Sequence, residues 1–422
     1  MTTWRPLVLH GRVPPADLRI DAARLLRRLA DLGRIGDTGD GGCARLALSD
    51  ADRDGRDLVV TWMGDLGLTV AVDGIGNVVA TTPWGHGAPV MCGSHIDTVR
   101  TGGRYDGNYG VLAGLEVVET LLALGRTTKR PLAVAFFTNE EGARFQPDML
   151  GSLVYAGGLA LEEALDVRAI DGAVLGDELE RIGYAGPLPC PGAAPHAFVE
   201  LHIEQGPVLE AEGVTIGAVT GVQGISWQEL TVTGESNHAG TTPMALRHDP
   251  TYVAAEIAVF VRRLALDMGG HQVATVGKID LHPNLVNVVA ARATLTVDLR
   301  NTDEGALRRA EGALSGRLDE LRATEGVMIA ARRLARFEPV RFHDEMIQRV
   351  EATARQLGLS VRRMPSGAGH DAQMLARLCP TAMIFTPSAR GISHNPAEHT
   401  DPDDLEAGAN VLANVLVSLA DA

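Results

Sequence analysis

The sequence predicts an α/β protein in which a mixed, mostly parallel sheet flanked by helices is interrupted by an inserted β-α-β-β-α-β unit. Three observations predict it. Short apolar runs alternate with helical patterns between residues 69 and 203, and such runs suit strands buried on both faces. Near residue 215 the pattern changes to strands of two-residue alternation set among two further helices. The chain, at 422 residues, is also longer than one ordinary core organises.

The elements follow in order. Leu18, Ala22, Leu25, Leu26 and Leu29 recur at spacings of three and four, which predicts a helix over 16–32. A second helix is expected over 57–69, ending in a turn at Gly67. Strands are expected at 69–72, 78–81, 90–92, 132–137 and 199–203, with a long helix over 108–124 between two of them. In the insert, Leu230 and Val232 alternate along a strand at 228–233. A helix at 251–266, strands at 273–281 and 292–300, a charged helix at 304–323 and a strand at 326–336 complete that unit. This order folds as one sheet with two helices on a single face. A helix at 344–357, a strand at 382–386 and a helix at 403–420 return the chain to its first part. The expected domains are therefore 1–214 and 337–422 together, and 215–336 as the insert.

Composition excludes several classes. A net charge of −15 argues against a nucleic-acid partner, which requires a basic face. No apolar run reaches the ~20 residues of a membrane span. The N-terminus lacks the apolar core and cleavage site of a secretory leader, so a cytoplasmic location is expected. Cys43, Cys92, Cys190 and Cys379 are scattered, with neither a disulfide nor a zinc-framework pattern.

The chemistry concentrates in five short segments. His95 and Asp97 stand two apart just beyond the strand ending at Cys92, where α/β proteins keep their sites. Asp106 opens the helix at 108 and is either its cap or a carboxylate able to bridge two cations. Glu140 and Glu141 follow an apolar strand directly; their mutual repulsion is relieved if one binds a cation and the other stays free to carry a proton. His202 shares a strand face with Glu200 and Glu204, and His394 lies in the loop after the strand at 382–386. Each has a structural explanation when read alone. Together they fall beyond the ends of parallel strands, which suits two divalent metals sharing one carboxylate, with imidazole favouring zinc, manganese or cobalt.

In order, GSHIDTV, the DG after it, TNEEG, HIEQG, HAGTTPM and GISHNPAEHT resemble the co-catalytic di-zinc metallopeptidase and amidohydrolase family that includes aminoacylases and glutamate carboxypeptidases. HIEQG and HAGTTPM resemble in particular its branch of N-carbamoyl-L-amino-acid amidohydrolases, allantoate amidohydrolases and ureido-acid hydrolases. The likeness runs from about residue 20 to the C-terminus and implies a di-zinc exopeptidase-like fold. It implies that His95 and His202 bind one metal, Glu141 and His394 the other, and that Asp106 bridges them. Asp97 is then the carboxylate that orients His95, and Glu140 the general base for a hydroxide shared by the two metals. The insert is implied to be a lid that also makes a homodimer, with His238 supplied to the partner subunit's site to stabilise the oxyanion. Asn287 and Arg300 are implied to hold the substrate's carboxylate end, and Gln205, Gln223 and His370 to line the pocket. The expected reaction is hydrolysis of an N-carbamoyl-L-amino acid to the amino acid, carbon dioxide and ammonia. Allantoate is the next substrate expected, then ureidopropionate or ureidoglycolate; a non-catalytic dimeric metal-binding protein is the reading from another class. Asn108-Tyr109 departs from the branch, where relatives often carry apolar residues or Pro after the DG, and is expected to bear on substrate preference.

Overall fold

The structure, a computed structural model, describes residues 16–422. Residues 1–15, most of the segment read above for a secretory leader, lie outside the described residues. The described residues form two compact units: residues 16–221 with 341–422, and residues 222–340.

In the first unit the opening helix is Ala22–Gly33, shorter than the periodicity suggests. Residues before it run extended because Asn414 and Asn410 accept the N–H groups of Leu18 and Ile20, and Asp21 caps the helix by accepting from Arg24 N–H. The second helix is Asp50–Asp65, starting well before the expected residue 57. Its charged first turns read as a loop, yet Asp52 and Arg56 sit on the inner face, fully buried and paired at 2.8 Å. Strands β1 (Thr69–Val72), β2 (Val78–Thr81), β3 (Val90–His95), β4 (Leu132–Phe137), β5 (Ala197–Ile203) and β6 (Ile216–Val222) follow, with the helix Asn108–Ala123 between β3 and β4. Every residue of β3, β4 and β5 is buried, so β5 is not the half-exposed strand that its alternation of charge suggested.

The second unit contains β7 (Gly224–Thr233), β8 (Asn237–His238), β9 (Val273–His282), β10 (Val288–Val289), β11 (Arg292–Asn301) and β12 (Met328–Phe337). Four of these form an antiparallel sheet in the order β12-β7-β11-β9, and β8 pairs with β10 as a separate ribbon. Along β11, Ala293, Leu295, Val297 and Leu299 are buried. They pack with Val253, Ile257 and Val261 of helix Pro250–Met268 and with Leu307, Leu314 and Leu318 of helix Glu304–Glu325. The second unit begins at Val222, after Gly217–Val219 of β6 have paired with a strand of the first unit's sheet.

The chain returns through β13 (Val340–Arg341), helix Asp344–Gln356, β14 (Val361–Ser366), β15 (Thr381–Thr386) and helix Pro402–Ala420. The large sheet runs β1-β2-β4-β3-β5-β15-β6-β13, with β14 also on β6. Its four central strands, β4-β3-β5-β15, are parallel, and the flanking pairs with β2 and β6 are antiparallel. Parallel central strands bring all their carboxyl ends to one edge, and the five segments singled out above leave from that edge. No described helix is long and apolar enough to cross a membrane.

Candidate metal centre

His95 is the last residue of β3. Its Nδ1 donates to the Asp97 main-chain carbonyl at 2.9 Å, and its Nε2 lies 3.5 Å from Asp106 Oδ1 and 3.4 Å from Glu140 Oε2. His202, in β5, donates from Nδ1 to the Ile203 carbonyl at 2.8 Å and presents Nε2 at 3.1 Å from the same Asp106 oxygen. A carbonyl therefore fixes each ring and turns Nε2 toward Asp106 as the candidate ligand nitrogen, that of His202 also accepting from Gly107 N–H at 3.2 Å. This corrects the expectation for Asp97, whose main chain orients His95. Its carboxylate instead accepts from Glu140 N–H and Glu141 N–H, at 3.2 and 3.3 Å. Two oxygens fit the two consecutive N–H groups of a tight turn, which a single imidazole N–H does not require.

Asp106 does not cap the helix it precedes: Gly107 holds the cap position and no side chain bonds there. The two carboxylate oxygens are divided instead. Oδ1 faces His95 and His202, while Oδ2 lies 3.5 Å from His394 Nε2. Glu141 Oε2 is 3.2 Å from that same nitrogen. His394 sits at φ 54° with its side chain 50% exposed, so the centre opens to solvent on that side, whereas His95 and His202 are buried.

The electrostatics follow from the crowding of acids and imidazoles. Burial opposes ionisation of Asp106, but hydrogen bonds from His202, His394 and His95 outweigh it and hold the carboxyl well below the usual range. Hydrogen bonds to Asp106 and Glu141 lift His394 to about 10. Burial works against a charged His95, yet Glu140, Asp106 and Asp97 overcome it and raise the ring well above its usual value. Burial is also the main reason that Glu140 is raised well above the carboxylate range, with Asp371, Glu141 and Asp106 adding to it against the pull of His95. Carboxylates and imidazoles this crowded suit a bound cation, whose charge offsets the repulsion between the acids.

Two ligand groups fit a cation, His95–Asp106–His202 and Asp106–Glu141–His394, each with its donor atoms within 4.8 Å of one another. Glu200, His202 and His370 are equally close, but they do not form a site. Glu200 already accepts from Ser94 Oγ at 2.6 Å and Ala372 N–H at 2.7 Å, and His202 Nδ1 is committed to Ile203.

The remaining candidates divide between the units. Gln205 stands against the metal cluster, its amide donating to Asp106 Oδ2 at 2.8 Å. His370 is buried rather than open to a pocket: its ring packs edge-on against His202 at 4.6 Å and its Nε2 is 2.8 Å from Ser366 Oγ. Gln223, His238, Asn287 and Arg300 belong to the second unit. There His238 and Asn287 adjoin, since Ala239 N–H donates to the Asn287 carbonyl and Val288 pairs with His238; both residues are exposed. Arg300 lies over the Trp227 ring at 5.6 Å and pairs with Asp298 at 2.9 Å. Gln223 is buried in the turn between β6 and β7.

Two buried residues beside the segments that carry the candidate ligands had no place in the sequence reading. The Arg45 guanidinium is fully buried and donates to the carbonyls of Ile96, Leu32 and Ile35 and to Asn108 Oδ1 at 2.7 Å. Asn108 therefore faces Arg45, and Tyr109 OH donates to Leu405 O, so the departure after Asp106-Gly107 points into the fold and not toward a substrate. Glu398 is the second, and its signal was the single acid inside GISHNPAEHT.

Gly107 takes φ 65°, and a Cβ there would stand 2.4 Å from the His95 ring. Gly107→Ala should therefore push His95 off its position and weaken metal binding by ~10–100-fold, the scale on which a displaced supporting group acts. Competition against a chromophoric chelator measures this, and unchanged affinity would refute the contact.

A family model described as peptidase family M20/M25/M40 matches residues 91–418, and the chain belongs to that family. It is 40% identical over 410 residues to an N-carbamoyl-L-amino-acid amidohydrolase of Rhizobium meliloti, covering 97% of this chain and 99% of that one. It is 32% identical over 420 residues to a ureidoglycolate hydrolase of Arabidopsis thaliana, covering 96% and 88%. A solved amidase of the hydantoinase/carbamoylase family from Burkholderia multivorans shares 45% identity and a TM-score of 0.93, covering 96% of this chain and 99% of that one. Within the family the chain stands in the carbamoylase branch and is a hydrolytic enzyme of the amidohydrolase kind.

Proposed function

We propose that the chain hydrolyses a linear C–N bond in a ureido acid, foremost an N-carbamoyl-L-amino acid, to give the L-amino acid, carbon dioxide and ammonia. The observation that carries this reading is the division of Asp106, one oxygen toward His95 and His202 and the other toward His394, with Glu140 buried beside them. His95, His202 and Asp106 Oδ1 would hold one divalent ion, zinc, manganese or cobalt. Glu141, His394 and Asp106 Oδ2 would hold a second. When bound, such ions polarise the ureido carbonyl and lower the pKa of water.

The protein's own groups do the rest. Glu140 takes a proton from the attacking water onto its carboxylate and returns it to the leaving amino-acid nitrogen, so that the water oxygen bonds to the ureido carbon as the first C–N bond breaks; the carbamic acid released then falls apart to carbon dioxide and ammonia, which breaks the second. Asp97 holds Glu140 and Glu141 by their main-chain N–H groups and so fixes where both carboxylates stand. His238 Nδ1 accepts from Gly240 N–H at 3.0 Å, which leaves Nε2 to carry the ring hydrogen as a donor for an oxyanion. That donor would serve the site of a second copy in a homodimer, with the insert as lid, and Asn287 and Arg300 would receive the substrate carboxylate. The fork of Arg300 suits a carboxylate bidentately, as its present pairing with Asp298 illustrates. Gln205, through its hold on Asp106, and Gln223 would complete the lining of the substrate site, while His370, packed behind His202, would support that ring and not meet the substrate.

A second substrate reading rests on the Arabidopsis relative named for ureidoglycolate; its identity is lower than that of the carbamoyl-amino-acid relative. Allantoate shares the same chemistry. The test is ammonia release by the manganese-loaded chain from N-carbamoyl-L-methionine, its D-isomer, allantoate, ureidoglycolate and 3-ureidopropionate, compared by kcat/KM. The N-carbamoyl-L-amino acid should lead. A preference for another ureido acid by about tenfold, roughly 1.4 kcal/mol in transition-state binding, would replace it, and no ammonia from any of them would leave a metal-binding protein without this activity.

A further inference from the structure

We propose that Glu398 is a positioning residue for the second ion's half of the centre, fastening the loop that carries Asp106 to the loop that carries His394. The proposal rests on the two-ion reading above. Glu398 is buried, 6% exposed, and its Oε1 accepts from Tyr105 N–H at 3.1 Å and Asp106 N–H at 3.2 Å. Its Oε2 faces Ser393 Oγ at 3.1 Å, next in sequence to His394. Ser393 Oγ is also 3.2 Å from Asp106 Oδ2, so one hydroxyl hydrogen lies between the carboxylates of the two loops. The turn that presents Glu398 is itself closed, with Glu398 N–H donating to the Asn395 carbonyl and Ala397 N–H to Asn395 Oδ1.

The two halves of the centre differ in what else supports them. His95 and His202 sit in strands of the parallel sheet and are held by its ladder. His394 has no such frame. It stands in a loop at positive φ, half exposed, tied through its carbonyl to Thr101 Oγ1 at 3.1 Å. A separate observation shows that the fold reserves the space for Glu398. A Cβ on Gly103 would lie 2.1 Å from Glu398 Oε1 and 2.5 Å from its Cβ, so only glycine admits the acid there. Removing Glu398, or displacing it from Gly103, therefore loosens the second ion's ligands more than the first's, because the first keeps His95 and His202 in the sheet while the shared Asp106 is disturbed for both.

The test compares wild type, Glu398→Ala, Glu398→Gln and Gly103→Ala. Each is stripped with chelator and reloaded with manganese; bound ions per chain are counted by elemental analysis and affinities measured by competition. The wild type should hold two ions. Glu398→Ala and Gly103→Ala should bind the second ion ~10–100-fold more weakly and the first by a clearly smaller factor. Glu398→Gln retains an acceptor for the two N–H groups and should recover part of the loss. Variants that match a two-ion wild type overturn the proposal alone, and a wild type that holds one ion overturns the two-ion reading and the proposal with it. Loss of both ions together with a lowered melting temperature of the metal-free variant also overturns it, because that marks a general structural role.

Discussion

Glu140→Gln should leave both ions bound and reduce kcat by ~10²–10⁴-fold, the range over which a positioned general base acts. The structure explains why the substitution isolates one function. Glu140 is anchored through its main chain, its N–H held by Asp97 and its carbonyl accepting from Met149 N–H at 2.7 Å, so glutamine takes up the same place. Glutamine keeps the volume and polarity of the side chain but accepts no proton at this pH. Steady-state kinetics with metal analysis on the same preparation checks the result. Turnover within about tenfold of wild type, with the ions in place, would remove Glu140 from the role of base.

Asp106→Ala should be more damaging to binding than any other single change, because one carboxylate serves both ligand groups. Both affinities should fall by more than the ~10–100-fold expected for a supporting residue. The metal-free chain should weaken as well, since His95, His202 and His394 lose the anion they share. A direct readout is the melting temperature with and without manganese. Ion at 100 times its Kd stabilises the folded chain by ~2.7 kcal/mol, and that increment should vanish in Asp106→Ala. Asp106→Asn, which keeps the shape and removes the charge, should behave in the same way. Retention of one ion at full affinity would mean that the carboxylate is not shared.

The parallel sheet was legible in the sequence because it depends on a local pattern, and the candidate ligands that the family likeness picked out come together in the fold. Strands such as 132–137 are unbroken apolar runs, and His95, Glu140 and Glu141 follow such runs directly. What was illegible depends on contacts across the chain. Asp50–Gly55 reads as a polar loop until the Asp52–Arg56 pair is seen to be buried in the second helix. Asp97 lies two residues from His95, which suggests a side-chain contact; the backbone direction instead sends its carboxylate to the turn at Glu140. Glu398 meets Tyr105 and Asp106 across nearly 300 residues of sequence, and Arg45 meets Asn108 across 63, and neither pairing leaves a spacing that a single sequence displays.

The central claim is that Asp106 joins two ion sites, one built with His95 and His202 and the other with Glu141 and His394. A crystal structure of the manganese-loaded chain, with anomalous data collected across the manganese edge, tests it most directly. Two anomalous peaks per chain are expected, one within coordination distance of His95 Nε2, His202 Nε2 and Asp106 Oδ1, and the other of Glu141, His394 Nε2 and Asp106 Oδ2. A single peak, or two peaks that do not share Asp106, would contradict it.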